Sequence, residues 1–566
     1  MAAAATGAQA KLRVVLCWHM HQPEYRDLVT GEALLPWTYL HGIKDYVDMA
    51  YHLESHADAR AVVNFSPILL EQLEWYAAAV SRHLRESAPL PDKVLAALTP
   101  EGIPTAPAPA RELIRACLRA NEERLIEPFA PYRELAVSAK AALGGAAFDS
   151  SLMVDLAVWY HLAWLGESVR RGDVRAKALM ARARGFSVEE RRTLLTLIGE
   201  LLSGLIPRYR ALFAGGRVEL SVSPWGHPIV PLLIDFAAAR ERRPAAELPD
   251  ERLYPGGESR ARWHVARAVQ AFARAFGAPP RGCWPSEGAL SEASVALLDS
   301  FGFDWLASGE AVLAASLTRR GLTAQPPRSH RAWRVKDSRS ACFFRDDDLS
   351  DRIGFRYSTW HGDDAVADLV TALEGIASDC GGDRDRVVAI ILDGENAWEY
   401  YPANGFFFLS ALYGRLAGHP TLRLTTFSAA LAEGVTRQPL PELVAGSWVH
   451  GDLATWIGSP PKNRAWDLLC EAKHSFDRCV VEGALGLEQQ ARAEQQLAAC
   501  EGSDWAWWFT EDNPGQAVAS FDALYRRQLG NLYRMLGEAV PESLAATIVH
   551  GRGAPEVGGT MRRADG

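Results

Sequence analysis

Val387-Val388-Ala389-Ile390-Ile391-Leu392-Asp393-Gly394-Glu395-Asn396-Ala397-Trp398-Glu399-Tyr400-Tyr401 holds the decision about this fold. Six consecutive apolar residues, rich in β-branched types, describe a parallel strand buried on both faces. The run stops at Asp393 and Glu395 and gives way to aromatics. The carboxyl ends of buried parallel strands are where α/β barrels and sheets carry their chemistry. The alternative is that both acids merely cap the next helix.

Three other segments share the design. Val14 to Pro23 (Val-Val-Leu-Cys-Trp-His-Met-His-Gln-Pro) places His19 and His21 on one side of a strand end, because side chains alternate with period two. Val218 to Pro228 runs through Glu219 and Ser221 into Pro224-Trp225-Gly226-His227. Arg281 to Ser291 breaks at Pro285 and delivers Glu287 onto a turn, with Ser291 or Ser294 ready to cap the helix that follows. Strand ends carrying His, Glu, Asp and Trp together are poorly explained by packing.

These segments resemble glycoside hydrolase family 57, retaining enzymes that act on α-glucans. The family's motifs occur here in order: His19-Met20-His21-Gln22-Pro23; the block from Glu219 to Pro231; Trp284-Pro285-Ser286-Glu287; Leu392 to Glu399; and Thr455-Trp456-Ile457-Gly458 with Asn463-Arg464-Ala465-Trp466. The likeness spans about residues 12–535. It implies Glu287 as nucleophile and Asp393 as general acid/base. It also implies a seven-stranded barrel, which periodicity does not reveal. The wording around Asp393, with Asn64-Phe65-Ser66-Pro67 and the block Phe344 to Phe355, is similar to the amylopullulanase and α-amylase branch. Ser459-Pro460-Pro461-Lys462 departs from the usual polar linker inside the fifth motif.

A retaining glycosidase needs an ionised carboxylate to attack the anomeric carbon and a second carboxyl to protonate the leaving oxygen, then activate water. Glu287 has no acid near it in sequence until Glu292, and Arg281 lies close, which suits a carboxylate kept charged. Asp393 follows an apolar strand and has Glu395 beside it; both features raise a carboxyl pKa and suit a proton donor. His19, His21, His227, Glu395 and Asp452 are candidate partners of sugar hydroxyls. Trp225, Trp284 and Trp456 are candidate walls for sugar rings, against the alternative that they pack the core.

Strand-like runs near 13–18, 61–65, 218–223, 281–284, 303–307, 341–344, 387–392 and 422–426, with helical stretches between, predict an incomplete parallel (β/α)7 barrel over 11–435. Residues 67–213 read as a mainly helical insertion, with helices over Ile68–Val80, Arg111–Ile126, Ser151–Leu165 and Val188–Phe213. A C-terminal helical bundle over 440–550, with helices at Ala465–Leu485, Leu487–Cys500 and Ala517–Leu536, is expected to complete the active site through Asp452 and Trp456. Trp505-Ala506-Trp507-Trp508 is expected to divide between interdomain packing and glucan contact. Residues 1–10 and 551–566 are expected to be disordered tails.

The chain has 566 residues, 23% charged, with a net charge of −9. It is long enough for two or three domains, and it has no long basic run of the kind nucleic acid requires. Neither a signal peptide nor a membrane span is expected. Eight scattered cysteines with no Cys-x-x-Cys pair suggest reduced thiols in a cytoplasm. The expected partner is an α-glucan polysaccharide or maltooligosaccharide, with no cofactor. Two alternatives share the scaffold: a 4-α-glucanotransferase or branching-type transglycosylase, and a non-catalytic glucan-binding protein. A rival from another class is a zinc-dependent barrel hydrolase using His19, His21, His227 and Asp393. Bond preference, chain length and oligomeric state are not legible.

Overall fold

In the computed structural model, which describes residues 11–145, 149–322 and 328–553, the barrel is built around its first strand. Strand β1 (Leu12–Met20) lies between β2 (Ala61–Phe65) and β8 (Val387–Asp393), parallel to both, with His19 directly opposite Asp393. The circuit continues through β3 (Val218–Val222), β4 (Gly282–Cys283), β5 (Trp305–Gly309) and β7 (Ala341–Arg345), and closes where Arg345 meets Ala389 of β8. These seven parallel strands form the (β/α)7 barrel. Short strands flank it: β6 (Ala332–Val335) pairs antiparallel with β7, whereas β10 (Arg437–Leu440) runs parallel to β6 and β9 (Leu422–Leu424) parallel to the start of β1.

Alternation separates two cores. Val15 and Cys17 of β1, Val62 of β2, and Val387, Ala389 and Ile391 of β8 fill the barrel interior with Trp305 and Phe343. Val14, Leu16, Trp18, Val388, Ile390 and Leu392 face the surrounding helices. Phe427 plugs the amino-terminal end, its ring 4.5 Å from Trp305 and 4.6 Å from Phe343. One step beyond Cys17, Val62 and Ile391, the same inward register presents His19, Asn64 and Asp393 at the carboxyl end. The alternation that packs the interior therefore also aims the polar residues.

Between β2 and β3 lies the helical insertion. Its first long helix is Pro67–Glu86 and its last Val188–Ala214. The helix expected over Arg111–Ile126 instead spans Pro107–Cys117, followed by a wide turn at Glu122–Ile126. The break lies at Asn121, whose side chain accepts from the Arg124 N–H and donates to the carbonyl of Glu399. The C-terminal helices are Pro460–Val481, Leu487–Cys500 and Gly515–Leu536. The first starts earlier than expected, because proline is well tolerated at a helix start.

At the carboxyl terminus, Arg552 and Gly553 bond through their N–H groups to the carbonyls of Glu511 and Asn513. The tail expected to be disordered from 551 is therefore ordered to 553. Residues 1–10 and 554–566 lie outside the described residues. All eight cysteines are unbridged. Among the described residues no helix is long and apolar enough to cross a membrane.

Candidate active site

Beyond β4 the chain makes one tight turn at Ser286–Gly288, and Glu287 adopts a left-handed backbone (φ 58°, ψ 21°). Such a conformation is costly for a residue with a side chain and persists only where surroundings enforce it. Gly288 is left-handed too, and a Cβ there would lie 2.6 Å from the Trp284 ring. Trp448 completes the clamp: its N–H donates to the Glu287 carbonyl at 3.0 Å, and its indole Nε1–H to the Glu287 carboxylate at 2.8 Å. Ser503 Oγ stands 3.5 Å from the other carboxylate oxygen.

Asp393 ends β8, accepts a 2.9 Å hydrogen bond from Asn396 Nδ2, and faces the same cavity as Glu287. The cavity, about 750 Å³, also receives His19, His21, His227, Glu395 and Asp504. Its outer walls include Trp37, Phe355, Trp507, Trp508 and Phe521.

The three histidines stack, with ring centroids of His21 and His227 3.9 Å apart and those of His19 and His227 4.9 Å apart. His19 Nδ1 bonds Asn64 Oδ1 at 2.7 Å, and Asn64 Nδ2 donates to Ser221. The amide oxygen therefore takes the Nδ1 proton, and Nε2 is left as an acceptor. Burial drives His19 down to about 3, and His227 well below its usual range. Burial thus favours the neutral imidazole at both positions. His21 bridges Ser66 at 2.7 Å and Asp504 at 2.9 Å.

Glu287 is pushed up to about 8, first by burial, then by the charge of Asp393, with Trp448 pulling it back. Asp393 is raised as well, by burial, against the pull of Asn396, His21 and Arg345. Burial and the charge of Asp393 thus oppose the ionised form expected of Glu287, and the Trp448 indole favours it. Arg281 does not act on it, because that side chain pairs with Asp304 at the surface, 63% exposed. Glu395 is driven up strongly by burial and then by Asp393; its Oε1 accepts from the His21 N–H and Gln22 Nε2 at 3.3 Å, and its buried Oε2 has no hydrogen-bond partner.

Four expected site residues do not line the cavity. Trp225 is fully buried against Trp263, and Trp284 lies beneath the Glu287 turn, edge-on to Trp448 at 5.2 Å. Trp456 is fully buried and its carbonyl accepts from the Trp466 indole. Asp452 is buried, pairs with Arg243 at 2.6 Å and accepts from the Ala454 N–H. In each case proximity to a motif located the residue but not its facing direction.

The C-terminal segment reaches the cavity elsewhere, through Trp448, Asp504, Trp507 and Trp508. Trp505 packs on Tyr525, so the aromatic cluster splits between core and cavity. Trp448, Ser503, Asp504 and Arg345 were not foreseen. The only sequence signals were aromatics beside Gly, His and Ser at 447–451 and 502–508.

Zinc would need several lone pairs converging on one point. His21, His227 and Asp504 each offer an atom within 4.8 Å of the others. The two rings are nearly parallel, 20° apart, and His21 Nε2 is already turned to Asp504. Face-to-face rings direct their nitrogens side by side, an arrangement that suits hydrogen bonding better than ligation. The acid in this cluster is Asp504, not the Asp393 of the zinc alternative.

Known structures share the architecture. A family 57 branching enzyme from Thermococcus kodakaraensis superposes with a TM-score of 0.57 at 16% identity, over 93% of this chain and 90% of that one. The α-amylase AmyC of Thermotoga maritima gives 0.54 at 14%, over 94% and 96%. The 4-α-glucanotransferase of Thermococcus litoralis gives 0.51 at 12%, over 93% of this chain and 60% of that one. At such identities the likeness concerns fold. No curated protein sequence matches the chain. The profile described as "Glycosyl hydrolase family 57" matches residues 15–440, three quarters of the chain and nearly the whole barrel, and on that ground the chain belongs to glycosyl hydrolase family 57.

Proposed function

We propose that this protein is a retaining enzyme of α-glucans, with Glu287 as nucleophile and Asp393 as acid/base. The observation that carries it is the pairing of the two carboxyls at one cavity, Glu287 immobilised by Trp448 and Asp393 set at a strand end. Glu287 attacks the anomeric carbon as the glycosidic C–O bond breaks, and Asp393 passes its proton to the departing oxygen. Asp393 then removes a proton from the incoming hydroxyl, whose oxygen displaces Glu287. The pair needs one proton, placed on Asp393 in the productive state. His19, His21 and His227 offer acceptors and donors to sugar hydroxyls, and the buried Glu395 a further polar group. The fate of the intermediate is the choice of water, giving hydrolysis of α-1,4 or α-1,6 bonds, or of a second sugar, giving transfer.

Glu287→Gln is expected to fold and lose turnover, because an amide cannot form the glycosyl ester. Azide added to Glu287→Gly should restore reaction on an activated glycoside with inverted product. Near wild-type rates in Glu287→Gln would remove Glu287 from this role. Products from maltooligosaccharides, glycogen and pullulan, with and without glucose as acceptor, separate hydrolysis from transfer: products longer than the substrate mark a transferase.

A further inference from the structure

Glu395 stands two residues beyond Asp393, in the turn that leaves β8, and lines the cavity beside both catalytic carboxyls. It is 2% exposed. Its Oε1 accepts two long hydrogen bonds, from the His21 N–H and Gln22 Nε2, both at 3.3 Å. Its Oε2 is buried with no partner among the described residues. Other buried acids of this protein are housed differently. Glu24 takes Arg26 through both oxygens, at 2.7 and 2.6 Å. Glu501 takes Arg260 and His264. Asp48 accepts from the Glu167 and Ser168 N–H groups, the Ser168 hydroxyl and Asn404. A buried carboxylate persists where a cation or several donors neutralise it, and otherwise the group takes a proton.

The surroundings of Glu395 supply no such compensation. Asp393 acts on it from the end of β8 and Asp45 from the turn Gly42–Tyr46, both with its own sign. Tyr25 and Tyr46 are buried phenols whose ionisation is pushed well above the usual range. Lys44 is engaged by Asp45 at 2.6 Å and Asn404 at 2.9 Å. Arg345 is held by Asp347 at 2.7 Å and Asp351 at 2.6 Å. The His21 ring is turned to Ser66 and Asp504, so that residue serves Glu395 through its backbone N–H alone. Burial, then Asp393 and Asp45, accordingly drives the Glu395 carboxyl well above its ordinary range.

We infer that Glu395 is a neutral carboxylic acid in the working enzyme and, by carrying no charge, acts as a positioning residue that lets Asp393 ionise. The inference rests on the acid/base reading of Asp393 above. Asp393 must be an anion to take the proton of the hydroxyl that displaces Glu287. A second buried anion two residues away would hold Asp393 protonated and stall the glycosyl-enzyme. Oε1 is the accepting oxygen, so the proton sits on Oε2. The like charge that the sequence places beside Asp393 is thus cancelled by its own burial.

Infrared spectra of Glu287→Gln near pH 7 read the state directly, because that variant lacks the Glu287 carboxyl and does not turn over. A protonated-carboxyl stretch should be present, and Glu287→Gln/Glu395→Gln should lose it. Glu287→Gln/Glu395→Asp should shift it, which assigns the band even where the amide variant folds poorly. Absence of the band, or a band that both double variants leave intact, would overturn the inference.

The pH profile reads the consequence. Glu395→Gln in otherwise wild-type enzyme exchanges one neutral group for another. The alkaline limb of kcat/KM should therefore stay within about 0.3 pH unit, whatever the change in rate. Removal of a charged Glu395 would instead favour the Asp393 anion and move that limb down by about one unit, which would also overturn the inference. An Asp393→Asn variant that slows activated and poor leaving groups alike would end the acid/base reading of Asp393, while the infrared result on Glu395 would stand.

Discussion

A carboxyl at Glu287 is pushed up to about 8 by burial and by the charges of Asp393 and Asp504, while the Trp448 indole draws it down. The folded protein thus holds a proton that the unfolded chain has released from about 4.5 upward. Stability from this group is full below that value and is lost as pH rises through about 8. Glu287→Gln removes the dependence and should melt a few degrees above wild type at pH 8, with the gap closing toward pH 4. A gap of the same size at both ends would mean that Glu287 does not titrate in this range. Trp448→Phe tests the other half of the balance. Without the indole donor the carboxylate is less favoured, so the acidic limb of kcat/KM should move upward, by about one pH unit for one charge-assisted hydrogen bond. An unmoved limb with reduced kcat would leave Trp448 as packing only.

At the scale of elements, the strands that carry the chemistry were the legible ones. The Val387–Leu392 run and the Val14–Cys17 run are buried on both faces, so their apolar character is continuous and their ends are abrupt. Inward aim was also readable, since odd positions in both strands share a face. By contrast β6 and β10 are short and polar at the barrel's margin, where Arg334, Arg437 and Pro439 are exposed, and they left no pattern to find. Ser503 and Asp504 escaped notice because their partners lie more than 200 residues away in sequence, a separation that no local period records.

Trp456 was misjudged for a different reason: an indole suits a sugar wall and a core equally, and motif adjacency does not choose between them. Its full burial does. Trp456→Ala should therefore cost about 3–5 kcal/mol of stability, as buried aromatic truncations do, with kinetics of the folded fraction unchanged. Active-site-titrated rates beside thermal melts decide it, and a raised KM at normal stability would return Trp456 to the substrate.

Across the whole molecule the active site depends on how the C-terminal helices seat on the barrel, and the seat is ionic. Glu501, fully buried, accepts from Arg260 Nε at 2.8 Å, His264 Nε2 at 2.7 Å and the Tyr254 hydroxyl at 2.6 Å. His264 Nδ1 in turn accepts the Gly226 N–H, which settles the tautomer and ties the lock to the residue before His227. Two and three residues past Glu501 come Ser503, bonded to His227 at 2.9 Å, and Asp504, bonded to His21. Arg260 and His264 hold the Glu501 carboxyl at about 2, against an ordinary value of 4.5. The sign is opposite to that at Glu287: this stability is present above 4.5 and is lost as pH falls toward 2.

Glu501→Gln leaves the buried Arg260 with only Glu494, at 2.9 Å, as countercharge, and losing one partner of a buried pair costs up to about 3–5 kcal/mol. The deficit in melting temperature should be largest near pH 7 and shrink in acid. Because Ser503 and Asp504 orient two of the stacked histidines, kcat of the folded variant should also fall, while KM on short glucans changes less. A variant that melts early yet turns over at the wild-type rate would show that the lock supports the fold and does not set the site.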